Sequence, residues 1–210
     1  MGKIMSSSEL LTHCKNAVEV LCDALEQACS DIPKWQKRAM LLGYWIKTYI
    51  HYWKNEDSFS PQSVYRLKRG SVVFVEFGYR VRRELGGRHF AVVIDANNAL
   101  NGDTVTVVPL SSKKESWTEN LYEISLEKGF YEKIQENIAV GKAQSSTFHA
   151  ERLKAGSIAK VGQIITISKM RILAPRKKTD PLFGVRLASQ DMCKIDRRLE
   201  ELYFFHKDDA

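Results

Sequence analysis

The sequence predicts an α+β protein in which a helical hairpin precedes a small antiparallel β-domain that ends in one helix. Three observations support this: a helical apolar period early in the chain, a change to short β-branched runs at Tyr65, and a last helical segment at 189–205. A chain of 210 residues is slightly long for one domain, so one domain with an appendage is expected.

The first 60 residues are expected to form the appendage. Residues 8–29 carry apolar side chains at alternating spacings of three and four: Leu11, Cys14, Val18, Leu21, Leu25 and Ala28. A second, aromatic-rich stripe follows after Pro33, which suits a helix start: Trp35, Leu42, Trp45, Tyr49 and Trp53. Two helices are too few for an independent core, so they should cover the rest of the chain, a second copy or a partner.

Composition predicts where the two domains meet and in which cellular compartment the protein is found. The segment 55–63 reads as a linker, which gives domains 1–60 and 61–210. The four cysteines at 14, 22, 29 and 193 lack CxxC spacing, so reduced, partly buried thiols in a cytoplasmic protein are expected. The start lacks the apolar core of a signal peptide, and no apolar run is long enough to predict a membrane span.

The second domain is predicted to be mostly strands. Turn residues separate three long β-branched runs at 71–78, 88–95 and 103–111, and Asn101–Gly102–Asp103 indicates a hairpin. Further strands are expected at 121–125, 137–143 and 157–165, with 152–156 as another candidate. The final helix places Met192, Ile195, Leu199 and Leu202 on one face. Such short strands favour a compact barrel or a strongly bent sheet.

The positive charge lies entirely in this second domain. The chain has 32 basic and 25 acidic residues, of which residues 1–60 hold seven of each sign. The whole excess of +7 therefore belongs to residues 61–210. A basic domain next to a neutral one predicts a polyanionic partner, with nucleic acid the leading candidate. The alternative is a basic surface that has no partner.

The densest basic cluster joins the first two long strands, at 80–90. It contains Arg80, Arg82, Arg83 and Arg88, with Gly86–Gly87 between them. The planar guanidinium group suits phosphate, although a solvated loop explains the first three arginines equally well. A second candidate is Ser111–Ser112, which precedes Lys113. The chain has no GxSxG, P-loop or GxGxxG motif, and its carboxylates lack metal-ligand spacing, so no cofactor or metal is expected.

Three ordered motifs resemble the MazF/PemK family of toxin endoribonucleases. They are RGSVVFVEFG (69–78), ELGGRHFAVVID (84–95) and TVTVVPLSS (104–112). GSIAKVGQIITISKMRI (156–172) and the final helix extend the likeness to about residues 66–205. Residues 1–60 lie outside it.

The resemblance implies an SH3-like β-barrel that forms a homodimer, pairs with a cognate antitoxin and cuts single-stranded RNA without metal. The 2′-hydroxyl of the substrate would attack, leaving a 2′,3′-cyclic phosphate and a 5′-hydroxyl. By the motif positions, Arg88 would stabilise the transition state and Ser111 would hold a phosphate oxygen, with Ser112 as the alternative if the register differs. Ser111 stands where the family has threonine, and His89 where it has proline.

The general base stays open between Glu84 and His89. Histidine has a suitable intrinsic pKa, but neighbours on a strand point to opposite faces, which separates His89 from Arg88. Lys113 and Gln163 join the loop arginines as candidate RNA contacts. Two alternatives remain: a non-catalytic barrel that binds protein or nucleic acid, and a toxin of the CcdB type that acts on gyrase.

Overall fold

A computed structural model describes residues 5–30, 33–140 and 153–204 of the chain. The chain divides into two compact units, residues 1–53 and 54–210. No helix in the described ranges is both long enough and apolar enough to cross a bilayer.

The first unit contains the two predicted helices, α1 (Ser7–Ser30) and α2 (Pro33–Asn55). A reciprocal capping box begins α1. The Glu9 backbone N–H donates to Ser6 Oγ at 3.3 Å, and the Ser6 backbone N–H donates to Glu9 Oε2 at 2.7 Å. Hydrogen bonds to the Glu9 carboxyl from the Ser6 backbone N–H and side chain lower the pKa of that carboxyl. Pro33 opens α2, as predicted from its fixed φ.

The prediction that the cysteines are partly buried is wrong, since all four thiols are free and exposed. Helix α1 buries none of its side chains, and only Leu21, Leu25 and Ala28 on its apolar stripe are half-buried. The spacing correctly predicted one apolar face, but a spacing does not say what covers that face. Large exposed apolar side chains on the two helices are Leu10, Leu11, Val18, Val20, Trp35, Met40, Leu41, Tyr44, Tyr49, Ile50 and Trp53.

The second unit is built on an antiparallel sheet. Its strands are β1 (Val72–Glu76), β2 (Arg88–Val93), β3 (Thr104–Ser112), β4 (Ile124–Leu126), β5 (Ser157–Ala159), β6 (Ile165–Ser168) and β7 (Ile172–Ala174). They follow the order β4-β5-β3-β2-β1-β7, and β6 also pairs with β3. The long strand β3 therefore joins β2 on one edge to β5 and β6 on the other.

The three long runs are confirmed as β1, β2 and β3, and the short strands were predicted less well. The turn at Asn101–Gly102–Asp103 is part of a longer connection, in which the Gly102 N–H donates to the Ala99 carbonyl at 3.1 Å. The predicted run 121–125 forms β4 only from Ile124, and 157–165 is split by a 3₁₀ turn at Val161–Gln163. Sheet pairing between β4 and β7, the two ends of the order, is not seen among the described residues, so a closed barrel is not observed.

The predicted strand at 137–143 is wrong in its described part, because α3 (Gly129–Ala139) occupies it. Residues 141–152 lie outside the described residues, and they include the first residue of the candidate strand 152–156. The other residues of that candidate strand form a short turn instead of a strand. Helix α3 buries Phe130 and Ile134, whose spacing of four is helical.

The sheet packs on two apolar clusters, one on each face. One contains Phe74, Phe90 and Leu110, and the other contains Val75, Phe77 and Ala91. Alternation along β1 and β2 produces this division, because successive strand side chains point to opposite faces. The last helix, α4 (Ser189–Tyr203), covers the first cluster with the predicted face: Met192, Ile195, Leu199 and Leu202.

Candidate active site

Arg88 is held by a carboxylate that the sequence reading did not assign. Arg88 begins β2 and pairs directly with Glu76 at the end of β1. Arg88 Nε donates to Glu76 Oε2 at 3.0 Å, and the Gly78 backbone N–H donates to Glu76 Oε1 at 3.0 Å. Glu76 is buried, whereas the Arg88 side chain is 49% exposed. A buried anion thus fixes the direction of a guanidinium group that still reaches solvent.

The arginine loop, residues 77–87, closes tightly next to this pair. The Phe77 N–H donates to the Gly87 carbonyl and the Gly87 N–H to the Gly78 carbonyl, both at 2.8 Å. A Cβ on Gly86 would lie 2.7 Å from the Gly78 oxygen, so this position requires glycine. Arg80 Nε donates to the Phe77 carbonyl at 3.0 Å. The loop is therefore a closed turn held by backbone hydrogen bonds.

Gln163 fastens the loop to the neighbouring 3₁₀ turn. Its Oε1 accepts from the Leu85 backbone N–H at 2.7 Å, and its Nε2 donates to the Arg83 carbonyl at 3.2 Å. Gln163 was predicted as an RNA contact, and the structure engages both ends of its amide within the protein. Arg82, with a φ of 52°, is exposed on the same loop.

Ser111 lies at the same end of the sheet as Arg88. Ala91 pairs with Pro109 in the antiparallel β2–β3 ladder, so the chain runs from this pair toward Arg88 on one strand and Ser111 on the other. Ser111 is half-buried beside β5, and Ser112 is exposed. Lys113 Nζ donates to Ser125 Oγ at 3.2 Å and lies 5.0 Å from the Trp117 ring centroid.

The two candidate bases have different positions. Glu84 is exposed on the arginine loop, where its Oε2 accepts from the Val81 N–H at 3.3 Å. It lines a cleft of about 240 Å³ together with Arg80 and Pro109. His89 is half-buried and pairs with Val75, a residue of the second core cluster, so it lies on the opposite face of β2 from Arg88.

Basic groups are concentrated at this end of the sheet. Arg88 pairs with Glu76, Arg80 and Glu84 line the first cleft, and Arg83 and Lys160 line a second cleft of about 400 Å³. Among the described residues, no group of three or more His, Cys, Asp or Glu side chains is placed to hold a metal ion. The arrangement can bind a phosphate through guanidinium groups and stabilise added negative charge on it.

Sequence reasoning missed Glu76, although the hairpin itself contained a usable signal. In an antiparallel hairpin, the residues that flank the loop face each other. Strand β1 ends at Glu76 rather than at residue 78, so Glu76 and Arg88 flank the arginine loop and lie opposite one another.

Comparisons with known proteins agree with the ordered motifs. A protein-family model described as "PemK-like, MazF-like toxin of type II toxin-antitoxin system" matches residues 68–203. A solved endoribonuclease, in complex with its cognate antitoxin and from a mycobacterial species, is 14% identical. That match covers 65% of this chain and 93% of the other, with a TM-score of 0.39. A search of curated proteins found no match. Since the family match covers more than half of its residues, the chain belongs to the PemK-like, MazF-like toxins of type II toxin–antitoxin systems.

Proposed function

We propose that this chain is an endoribonuclease that cleaves single-stranded RNA without a metal ion. The observation that carries the proposal is the Glu76–Arg88 pair, which holds a half-exposed guanidinium group at the start of the internal strand β2. Arg80, Arg82 and Arg83 lie on the adjoining arginine loop and suit a polyanionic substrate. Membership of a toxin family agrees with an activity that acts on a cellular polymer.

The reaction needs no external nucleophile. The 2′-oxygen attacks the adjacent phosphorus and loses its proton to a base, while the bond from phosphorus to the 5′-oxygen breaks. The departing 5′-oxygen takes up one proton. The products are a 2′,3′-cyclic phosphate and a 5′-hydroxyl, with atoms and charge balanced. The protein must accept one proton, supply one, and stabilise the pentavalent transition state.

The proposed roles follow from the positions of the side chains. Arg88 stabilises charge on the phosphoryl oxygens, and Glu76 positions it. Ser112 or its neighbour Ser111 holds a phosphate oxygen from β3; strand alternation places Ser112 on the face of Arg88 and Ser111 on the face of His89. Glu84 and His89 both stay candidates for the base: Glu84 is exposed and lines the cleft with Arg80 and Pro109, and His89 lies on the same face of the sheet as Pro109. An arginine base is disfavoured by its pKa above about 12.

The family also supplies the remaining parts of the proposal. Type II toxins act beside an antitoxin, and we extend to this chain a cognate antitoxin, a homodimeric SH3-like barrel and a cytoplasmic location. Residues 1–60 precede the matched range and have no proposed part in the chemistry.

The decisive experiment incubates the purified full chain with several defined single-stranded RNAs in EDTA. We expect cleavage that leaves 2′,3′-cyclic phosphate ends, visible by mass spectrometry. Arg88→Ala should reduce the rate by about 10²–10³-fold. Arg197→Ala, an exposed arginine on α4, is the matched control and should cleave normally. Intact RNA, or full activity in Arg88→Ala, would overturn the proposal and favour a non-catalytic binding protein or a gyrase-directed toxin.

A further inference from the structure

A cleft beside the arginine loop has no role in the chemistry proposed above. It has a volume of about 400 Å³ and lies on the other side of Gly162 and Gln163 from Arg80 and Glu84. Its walls combine one aromatic ring, one carboxylate and two cations, contributed by Tyr122, Glu123, Lys160 and Arg83. A volume of this order accommodates one flat heterocycle.

The aromatic wall is Tyr122, which is exposed yet held in place. The residue is 61% exposed, a high value for a large side chain that lines a cleft. The Tyr122 N–H donates to Asn120 Oδ1 at 2.9 Å, and its carbonyl accepts from the Gly162 N–H at 3.0 Å. A Cβ on Gly162 would lie 2.8 Å from Tyr122 Cδ1, so only glycine lets the ring take this position. The backbone thus presents a fixed ring to solvent.

The polar wall is Glu123, whose carboxylate is fixed from two sides. Trp117 Nε1 donates to its Oε2 at 2.8 Å, and Lys160 Nζ forms an ion pair with its Oε1. Partial burial raises the pKa of this carboxyl, but the hydrogen bonds from Lys160 and Trp117 outweigh that effect and leave the pKa below its usual value. The Asn120 side chain also hydrogen-bonds this carboxylate. The two oxygens together have about four lone-pair sites, so a base that donates twice takes the remaining site and replaces the Asn120 amide.

We propose that this cleft binds one guanine base of the single-stranded RNA substrate. The base stacks on Tyr122, its N1–H and N2–H groups donate to Glu123, and Arg83 contacts a neighbouring phosphate. The inference rests on the proposed function for the identity of its ligand as RNA. It adds a specificity site, next to the cleavage site, that reads one base by shape and hydrogen bonding.

The hydrogen-bonding edges of the four bases favour guanine. Guanine alone presents two adjacent donors on its Watson–Crick edge, which match the two oxygens of one carboxylate. Adenine and cytosine offer a single amino group beside an acceptor. Uracil places its one N–H between two carbonyl oxygens, which the Glu123 carboxylate would repel. Stacking on Tyr122 tolerates any base, so the discrimination must come from Glu123.

The test measures binding separately from cleavage. The probes are fluorescein-labelled 2′-fluoro oligouridines with 2′-fluoro guanosine, inosine or uridine at one central position, so that every nucleotide lacks the attacking hydroxyl. Fluorescence anisotropy with the full chain should give about ten-fold tighter binding for guanosine than for uridine, with inosine between them because it lacks the 2-amino group.

Variants of the cleft distinguish its two walls. Tyr122→Ala and Gly162→Ala should both weaken binding of the guanosine probe by about ten-fold, the second by displacing a ring that is still present. Glu123→Gln should remove the preference for guanosine over uridine while keeping most of the affinity for uridine. Tyr203→Ala, an exposed tyrosine on α4, is the matched control. Melting temperatures of all variants check that they fold.

The outcomes separate this inference from the proposed function. RNA cleavage that persists with equal binding of the three probes, or with no effect of Tyr122→Ala in a folded protein, overturns the guanine site alone. Guanosine-dependent binding without any RNA cleavage overturns the nuclease and supports the site. Absence of binding to every probe overturns the site.

Discussion

Glu76 and Arg88 face each other across the first hairpin, joined by a 3.0 Å hydrogen bond between Oε2 and Nε. No other hydrogen bond joins the Arg88 side chain to a residue that the structure describes, so its terminal nitrogens are available as donors. The carboxylate is buried and the guanidinium is half-exposed. The pair therefore contributes mainly direction, since ion pairs that reach solvent contribute little stability.

The first prediction concerns Glu76→Gln. Glutamine keeps an acceptor for the Gly78 N–H but loses the charge that holds Arg88, so the guanidinium should lose its fixed direction. We expect cleavage to slow by about ten- to a hundred-fold. The free energy of unfolding should change by less than about 1 kcal/mol. Single-turnover rates and urea denaturation measure the two effects.

The matched control for Glu76→Gln is Glu201→Gln, which removes a carboxylate from another glutamate–arginine pair, on α4. It should cleave at the wild-type rate. A wild-type rate in a folded Glu76→Gln protein would show that Arg88 needs no positioning by Glu76.

The second prediction concerns Gly86→Ala. The new Cβ would lie 2.7 Å from the Gly78 carbonyl oxygen, within the backbone hydrogen bonds that close the arginine loop. We expect a loss of about 1–3 kcal/mol in stability and a lower cleavage rate. Gly129→Ala at the start of α3, where a Cβ meets nothing within 4 Å, should cost no stability. Equal melting temperatures of the two variants would contradict the prediction.

The sequence predicted the long strands and the last helix because their side chains pack locally and periodically. Val72 to Glu76 and Arg88 to Val93 read as strands from β-branched runs alone. Contacts between distant segments were not predictable in this way. Gln163 reaches Leu85 across 78 positions, and the burial of Glu76 depends on a sheet that no local window contains. The strand expected at 137–143 failed because Val140 and its neighbours have β propensity, whereas packing of Phe130 and Ile134 favours α3.

The third prediction concerns the pH dependence of the Glu123 network. The folded pKa of Glu123 lies below its ordinary value of 4.5, so its stabilising contribution is complete above about pH 4.5. It should be lost as the pH falls through the lower, folded pKa. The difference in melting temperature between wild type and Glu123→Gln should therefore shrink below pH 4.5 and stay constant above it.

A local probe follows the same event. The Trp117 indole N–H donates to Glu123, so its NMR resonance should move as that carboxylate takes up a proton. The Glu123→Gln protein is the control, in which the resonance should stay still over the same range. A resonance that stays still in the wild type as well would contradict the assignment of the lowered pKa to this hydrogen bond.

The last prediction concerns the boundary between the two units at Trp53 and Lys54. Phe59 and Val64 follow that boundary and pack with the second core cluster of the sheet, so a chain that begins at Lys54 keeps all of this core. We expect it to fold with a melting temperature within a few degrees of the full chain, to lose helical circular dichroism, and to retain RNA cleavage.

The control is a longer truncation that removes residues 1–67 and therefore also deletes Phe59, Val64 and Leu67. The lost burial should destabilise the sheet by about 2–5 kcal/mol for each large core side chain. If the chain that begins at Lys54 were unfolded, the first 53 residues would be part of the same cooperative unit as the sheet.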